Sequence, residues 1–352
     1  MRFDLLSKFH NDIGIDLGTA NTLVYVKGRG IVINEPSVVA VNQKTDRVVA
    51  IGREAKRMLG RTPPHIEAVR PLVDGVVSNF EVTEEMLRYF IKKAGEGSSI
   101  MKFLRPRVIV GIPYGITNVE RRAVIDAAKN AGGREVYVIE EPMSAALGIN
   151  LPVGEPVGNM IIDIGGGTTE IAVISLDGIV RAKSLKIAGD KLNQDIISYI
   201  KEEFKILLGE RTAEDLKIMI GSVYPDKETM EATVRGRDLV TGLPREVIIT
   251  DSDIREAITP SISLFIESVK EVIEATPPEL IADIMHRGIV LVGGGSLIHG
   301  LQEILEEEIK IPIHSTEEAL TAVVKGIGVV FENVARYRDI LIGHEDELPP
   351  TL

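Results

Sequence analysis

Two stretches of this chain place an acid just before a turn rich in glycine and threonine. In residues 11–26 (NDIGIDLGTANTLVYV) an apolar run ends at Asp16, and Gly18, Thr19, Ala20 and Asn21 follow. In residues 159–174 (NMIIDIGGGTTEIAVI) a second run ends at Asp163, and Gly165, Gly166, Gly167 and Thr168 follow. Backbone amides at such a tip approach phosphate oxygens closely because glycine has no Cβ, and threonine hydroxyls add donors. Neither tip holds Lys or Arg, so amides and a divalent cation must offset the charge of a triphosphate. Magnesium suits that task, since it keeps several waters and takes few protein carboxylates; Asp16 and Asp163 would hold it through its water shell. Either motif alone also fits an ordinary tight hairpin. A third glycine turn, at Gly293, Gly294, Gly295 and Ser296, tips the balance towards phosphate binding. The other phosphate motifs fail here, since there is no G-x-x-x-x-G-K-[ST] and no G-x-G-x-x-G between a strand and a helix. A nucleotide fold of another type is required.

The elements that must carry these tips can be read from the flanking patterns. Each motif is an apolar run, a tip and a returning β-rich run, which is a β-hairpin with an acid near its tip. The two match each other with one inserted residue, and the acids are 147 positions apart, about one domain length. Two related lobes, each presenting one hairpin to a shared cleft, account for that spacing. The expected division puts 1–146 and 320–344 in the first lobe, with a small insert near 33–68. Residues 147–319 form the second lobe, with an insert near 185–248, and 345–352 are a loose tail. A run through Met86, Leu87, Phe90 and Ile91 is expected to start at a Thr83 cap and stop at Gly95. Thr117 and Glu120 form a capping box for a helix carrying Val119, Ala123, Ala127 and Ala131 and ending at Gly132. Residues 31–51 alternate as strands, as do 230–240 and 245–250. Leu192, Ile196, Tyr199, Ile200 and Phe204 fall at helical spacing, and 213–220 continue as another helix. Residues 254–273 are strongly periodic, but Pro260 must kink or break them. A buried strand at 288–292 leads into the third glycine turn, with a helix expected from about Leu297.

Composition narrows the function class. At 352 residues the chain can bury two cores, taking about 150 residues per domain. Its 44% hydrophobic residues and 33 glycines are those of a globular α/β protein. The formal charge is −12 and no basic cluster is large enough to neutralise a run of phosphates, so nucleic acid is a poor partner. No cysteine is present, which excludes disulfides and cysteine-based zinc sites and suits a reducing cytosol. The six histidines show no ligand spacing. No secretory signal is visible, and no apolar run approaches the roughly 18 residues of a spanning helix.

The motifs resemble those of the actin-like ATPase superfamily, which includes the heat-shock chaperone ATPase domain and the sugar kinases. IDLGTANT (15–22) stands as the first phosphate motif, IDIGGGTTE (162–170) as the second and LVGGGSL (291–297) as the adenosine motif. IEEPMSAALG (139–148) is similar to the superfamily's helix beside the γ-phosphate. Within the superfamily, GIDLGTANTLVYVKGRGIVINEPSVVA, VIEEPMSAALG, RGRDLVTGLP and ATPPELIADIMHRGIVLVGGGSL run in the order of the MreB family of bacterial actins. Ser144 departs from the Ala usual there, and the 224–234 loop is shortened.

The resemblance implies a two-lobed actin-like α/β fold, each lobe a ribonuclease H-like mixed sheet with flanking helices. It implies ATP and magnesium as cofactors and a magnesium-dependent ATP hydrolase coupled to filament assembly. Glu141, directly before Pro142, would position and deprotonate the attacking water with help from Thr168; Glu140 would be structural. Glu214 and Lys217, at i and i+3 of one helical face, would hold the adenosine, with Gly294, Gly295, Ser296 and Leu297 closing the other side. Without the resemblance, that pair reads as an exposed intrahelical ion pair. The implied role is to organise wall synthesis and rod shape from the inner face of the membrane, with the chain itself and membrane proteins of the elongation machinery as partners. Leu5, Leu6 and Phe9 read either as an apolar face for peripheral membrane binding or as a frayed tail, and 100–104, from Ile100 to Leu104, reads equally as a companion anchor or as the start of a buried strand. Two rivals share the phosphate motifs. A chaperone ATPase domain would continue into a substrate-binding domain, whereas this chain ends soon after its last fold elements. A small-molecule kinase would need an acceptor pocket with its own base, for which the sequence offers no candidate.

Overall fold

The computed structural model describes residues 12–96, 105–225 and 229–343. The chain divides into two units, the first comprising Met1–Pro156, Ile174–Ile179 and Leu320–Leu352, the second Val157–Val173 and Val180–Ala319.

In the first unit the alternation around Asp16 folds as predicted, into β1 (Ile13–Leu17) and β2 (Asn21–Val26), and β3 (Gly30–Pro36) extends the meander. The inserted strands are β4 (Val39–Asn42), β5 (Arg47–Ile51) and β6 (Ile66–Val69), with helix α1 (Arg53–Met58) between the last two. They make a separate sheet in the order β5-β4-β6 over a small core of Val38, Ala40 and Ala55. A two-stranded ribbon, β7 (Leu72–Val73) and β8 (Val76–Val77), leads to α2 (Phe80–Ala94). That helix starts one turn before the expected cap. Asn79 accepts from Val82 N, while Thr83 sits inside the first turn with its hydroxyl donating back to the Asn79 carbonyl. An Asx cap outcompetes threonine because its acceptor reaches the N3 amide with less restriction. Strand β9 (Arg107–Ile112) precedes α3 (Asn118–Asn130), where the Thr117–Glu120 capping box forms. Its buried face is Val124, Ile125, Ala127 and Ala128, which leaves Val119 79% exposed, outside the face expected for it. Strand β10 (Glu135–Glu140) then runs directly into α4 (Glu141–Gly148).

The second unit repeats the hairpin as β11 (Asn159–Ile164) and β12 (Thr169–Ser175), extended by β13 (Gly178–Leu185). Helix α5 (Gly189–Glu203), strand β14 (Ile206–Leu207) and helix α6 (Glu210–Ile220) follow. Next comes a long hairpin of β15 (Glu231–Asp238) and β16 (Pro244–Thr250), which sheets with β14. Helix α7 (Asp251–Glu274) is continuous through Pro260, so the proline does not break it. Eleven of its side chains are buried, and tertiary packing of that face outweighs the roughly 3 kcal/mol an internal proline costs. After α8 (Pro278–Arg287) and β17 (Ile289–Val292), residues 294–297 form a 3-10 turn. Helix α9 (Leu301–Ile309) begins four residues later than predicted, because Ile298 is extended and Gly300 is left-handed at φ 79°. Strand β18 (Ile313–Ser315) completes the unit.

The chain returns to the first unit with α10 (Ala322–Glu332) and β19 (Ile342–Gly343). The first sheet has the order β19-β10-β9-β1-β2-β3 and the second β13-β12-β11-β17-β18. In the first, β1, β9 and β10 are parallel, so their carboxyl ends share one edge. In the second, β11, β17 and β18 are parallel in the same way. Ligands of open α/β sheets gather at such edges.

Candidate functional site

In the first unit, Asp16 lies near the end of β1, opposite Gly111 of β9 in register. A Cβ at Gly111 would lie 3.2 Å from Val323 Cγ1 and 3.5 Å from Glu141 Cγ, so it would be tight against Val323 and in ordinary contact with Glu141. Glu141, the first residue of α4, has its stem beside Gly111. Strands β1 and β9 and the start of α4 thus place Asp16 and the stem of Glu141 beside Gly111. Glu140, the N-cap residue, has its carboxyl raised by burial, an effect partly opposed by Arg121.

The tip between β1 and β2 is braced from behind. Thr19 is 5% exposed, and its hydroxyl oxygen accepts from Gly75 N at 3.0 Å. Ser37 donates through Oγ to the Gly18 carbonyl at 2.6 Å and through its amide to the Ala20 carbonyl at 3.0 Å. Asn21 is exposed. Ser37, Gly75 and Gly111 are residues that sequence reasoning missed. Nothing in the local pattern links Ser37 to a carbonyl 19 positions away.

In the second unit the tip is a tight turn, with Gly165 N donating to Thr168 O at 2.9 Å. The first two amides of α5 close on it, Gly189 N to Gly165 O at 3.1 Å and Asp190 N to Gly166 O at 2.8 Å. Lys217 Nζ donates to the Gly189 carbonyl at 2.7 Å. The cation predicted to hold adenosine is therefore tied to the second glycine-rich tip through one residue of α5. It makes that contact in addition to sharing a helix face with Glu214, so an isolated surface ion pair does not describe it.

Asp163 is 7% exposed, and burial pushes its carboxyl up to about 7. It stands opposite Val292 in the parallel β11/β17 pair. Next to it, Gly293 has φ 80°, and a Cβ there would fall 2.4 Å from Asp163 Oδ1. Only glycine lets the third turn pass so close to the acid. Gly295 is equally tight, its virtual Cβ 2.3 Å from Ile164 Cγ2. Ser296 bonds back to the Gly293 carbonyl at 2.7 Å, whereas Leu297 is 61% exposed. Thr168 is 8% exposed. The second and third glycine motifs thus meet at Asp163. Desolvation disfavours the charged form of this carboxyl, and a cation brought beside it would favour that form again. Among the described residues no cluster of three or more His, Cys, Asp or Glu could hold a metal ion.

The predicted membrane-binding residues, Leu5, Leu6 and Phe9 and the 100–104 segment, lie outside the described residues. No helix among those described is long and apolar enough to cross a membrane.

Comparison with known proteins agrees with this geometry. The family model described as MreB/Mbl protein matches residues 10–339. The cell shape-determining protein Mbl of Bacillus subtilis is 49% identical over 326 residues, covering 93% of this chain and 97% of Mbl. The cell shape-determining protein MreB of Escherichia coli is 49% identical over 343 residues, covering 96% and 98%. Among solved structures, MreB5 of Spiroplasma citri bound to ADP superposes with a TM-score of 0.88 at 37% identity, covering 94% of this chain and 98% of that one. The same protein bound to AMPPNP gives 0.87. The fold is therefore actin-like, and the chain belongs to the MreB/Mbl family of cell-shape proteins.

Proposed function

We propose that this chain binds ATP with magnesium, hydrolyses it, and couples the cycle to assembly of filaments that support cell shape at the inner face of the membrane. The observation that carries the nucleotide part is Asp163, buried and resisting ionisation where the second and third glycine motifs meet. Its environment asks for a cation that the glycine tips, lacking Lys and Arg, would share with phosphate. The ADP and AMPPNP complexes of the Spiroplasma relative support the same ligand class.

Amides and hydroxyls of Gly18, Thr19, Ala20, Asn21, Gly165, Gly166, Gly167 and Thr168 would take phosphate oxygens, and Asp16 and Asp163 would hold magnesium through its waters. The ion, when bound, neutralises charge on the phosphates. Glu214, Lys217, Gly294, Gly295, Ser296 and Leu297 receive the adenosine. Glu141 accepts the proton of the attacking water, and the Thr168 hydroxyl helps fix that water. A carboxylate suffices because phosphoryl transfer depends chiefly on positioning and charge stabilisation. The partners are further copies of the chain, the membrane surface and membrane proteins of the wall-elongation machinery.

The test is electron microscopy and phosphate release on purified protein with magnesium and ATP, for the parent and for Glu141→Ala. The parent should form filaments and release phosphate. The variant should bind ATP nearly as well and release phosphate about two to four decades more slowly. Hydrolysis at the parental rate would remove Glu141 from the mechanism, and a parent that never polymerises would remove the filament role.

A further inference from the structure

Ser37 stands just after β3, where the chain leaves the first sheet for the inserted β5-β4-β6 sheet, and it is fully buried. A buried serine normally satisfies its hydroxyl with one convenient carbonyl. This one is spent on the glycine-rich tip of another hairpin. Its Oγ donates to Gly18 O at 2.6 Å and lies 2.9 Å from Thr22 Oγ1, while its amide donates to Ala20 O at 3.0 Å. The serine therefore grips two carbonyls of the tip, those on either side of Thr19.

The consequence follows from peptide geometry. In a trans peptide the carbonyl of one residue and the N–H of the next point in opposite directions, and among the described residues there are no cis peptides. With Gly18 O turned to Ser37, the amide of Thr19 points the other way. With Ala20 O turned to Ser37, so does the amide of Asn21. Thr19 is held from a second direction, since its hydroxyl oxygen accepts from Gly75 N at 3.0 Å, which leaves the hydroxyl proton free to donate. A four-residue tip with glycine at its start has ample freedom to turn its amides elsewhere. Pre-aimed donors are worth more than flexible ones because no ordering cost falls on the binding step.

We propose that Ser37 is a positioning residue for phosphate binding: it pins the Gly18 and Ala20 carbonyls backwards so that the Thr19 and Asn21 amides face the ligand. Ser37 does not touch the nucleotide itself. The inference rests on the reading that the first tip receives phosphate.

The experiment measures dissociation constants of ATP, ADP and adenosine by calorimetry for the full chain and for Ser37→Ala and Ser37→Cys. The cysteine nearly conserves volume but loses the strong donor. Both variants should weaken ATP and ADP by roughly five- to tenfold, the worth of about one hydrogen bond. Adenosine, which has no phosphate, should bind each variant within twofold of the parent, and that binding also shows that the protein is folded. Equal weakening of adenosine and ATP, or parental ATP binding in both variants, overturns the proposal. If the parent binds ATP no more tightly than adenosine, the phosphate reading of the tip fails first and the role of Ser37 falls with it. Should Ser37→Ala fail to fold, Ser37→Cys alone decides by the same ATP-to-adenosine ratio.

Discussion

A carboxyl buried without a counter-charge stays protonated to higher pH than one in water, and Asp163 is held that way, with its carboxyl up to about 7. The effect on stability runs opposite to that of a salt-bridged acid. Between the ordinary carboxylate range and about pH 7, the native state keeps a proton that the unfolded chain has lost. Stability therefore falls as pH rises through that window, and the cost is complete above about 7. Asp163→Asn removes the ionisation while keeping the shape. In metal-free buffer, the melting temperature of the variant minus that of the parent should grow from pH 5.5 to about 7 and level off by pH 8. A difference that stays flat with pH would show that Asp163 ionises freely. The same variant should lose the magnesium dependence of ATP binding, since the residue that costs stability would be the one that orients the ion's waters.

At the scale of elements, α4 and α10 of the first unit cross at very close range. A Cβ at Gly148 would fall 1.9 Å from Ala322 O, and one at Gly326 would fall 1.7 Å from Ser144 O. The two helices meet backbone to backbone, and Ser144 Oγ donates to Val323 O at 2.8 Å across the contact. Ser144, read from the sequence as a departure from the usual Ala, thus gains a buried partner. Because α4 begins with Glu141, the crossing also fixes where that carboxylate starts. Gly326→Ala should cost about 1–3 kcal/mol or more through overpacking, lowering the melting temperature by roughly 2–4 °C per kcal/mol for a protein of this size. It should also slow hydrolysis more than it weakens ATP binding. Gly178→Ala, whose Cβ would meet nothing nearer than 3.6 Å, is the control and should melt close to the parent. If both variants melt alike, the helix crossing is looser than the geometry requires.

For the whole molecule, the formal charge of −12 repels an anionic bilayer, and Leu5, Leu6 and Phe9 offer only a few apolar side chains. Interfacial binding scales with buried apolar area, so one copy should bind marginally. A filament repeats the weak anchor, and once one subunit is held its neighbours bind at high effective concentration. Co-sedimentation with anionic vesicles should therefore pellet the polymerising parent and leave in solution both a variant with Leu5, Leu6 and Phe9 changed to Ser and a variant that cannot polymerise. Tight binding by the non-polymerising protein would exclude avidity, and full binding by the Ser variant would exclude the N-terminal segment as the anchor.

The sequence by itself determined what depends on neighbours along the chain. The two acid-tipped hairpins, the Thr117–Glu120 capping box and the helical run that became α5 are local signals of period, cap and turn. Local signals also explain the errors. Thr83 resembles a cap as closely as Asn79 does, and of the kink or break that Pro260 implies, the buried face of α7 excludes the break. Only the tertiary structure decided which distant groups share a site. Gly111 under Glu141, Gly293 against Asp163, Lys217 on Gly189 and Ser37 behind Gly18 are contacts between residues far apart in sequence or in separate elements. Each depends on sheet register or helix packing, and no periodicity along the chain encodes which glycine's missing Cβ a neighbour will use.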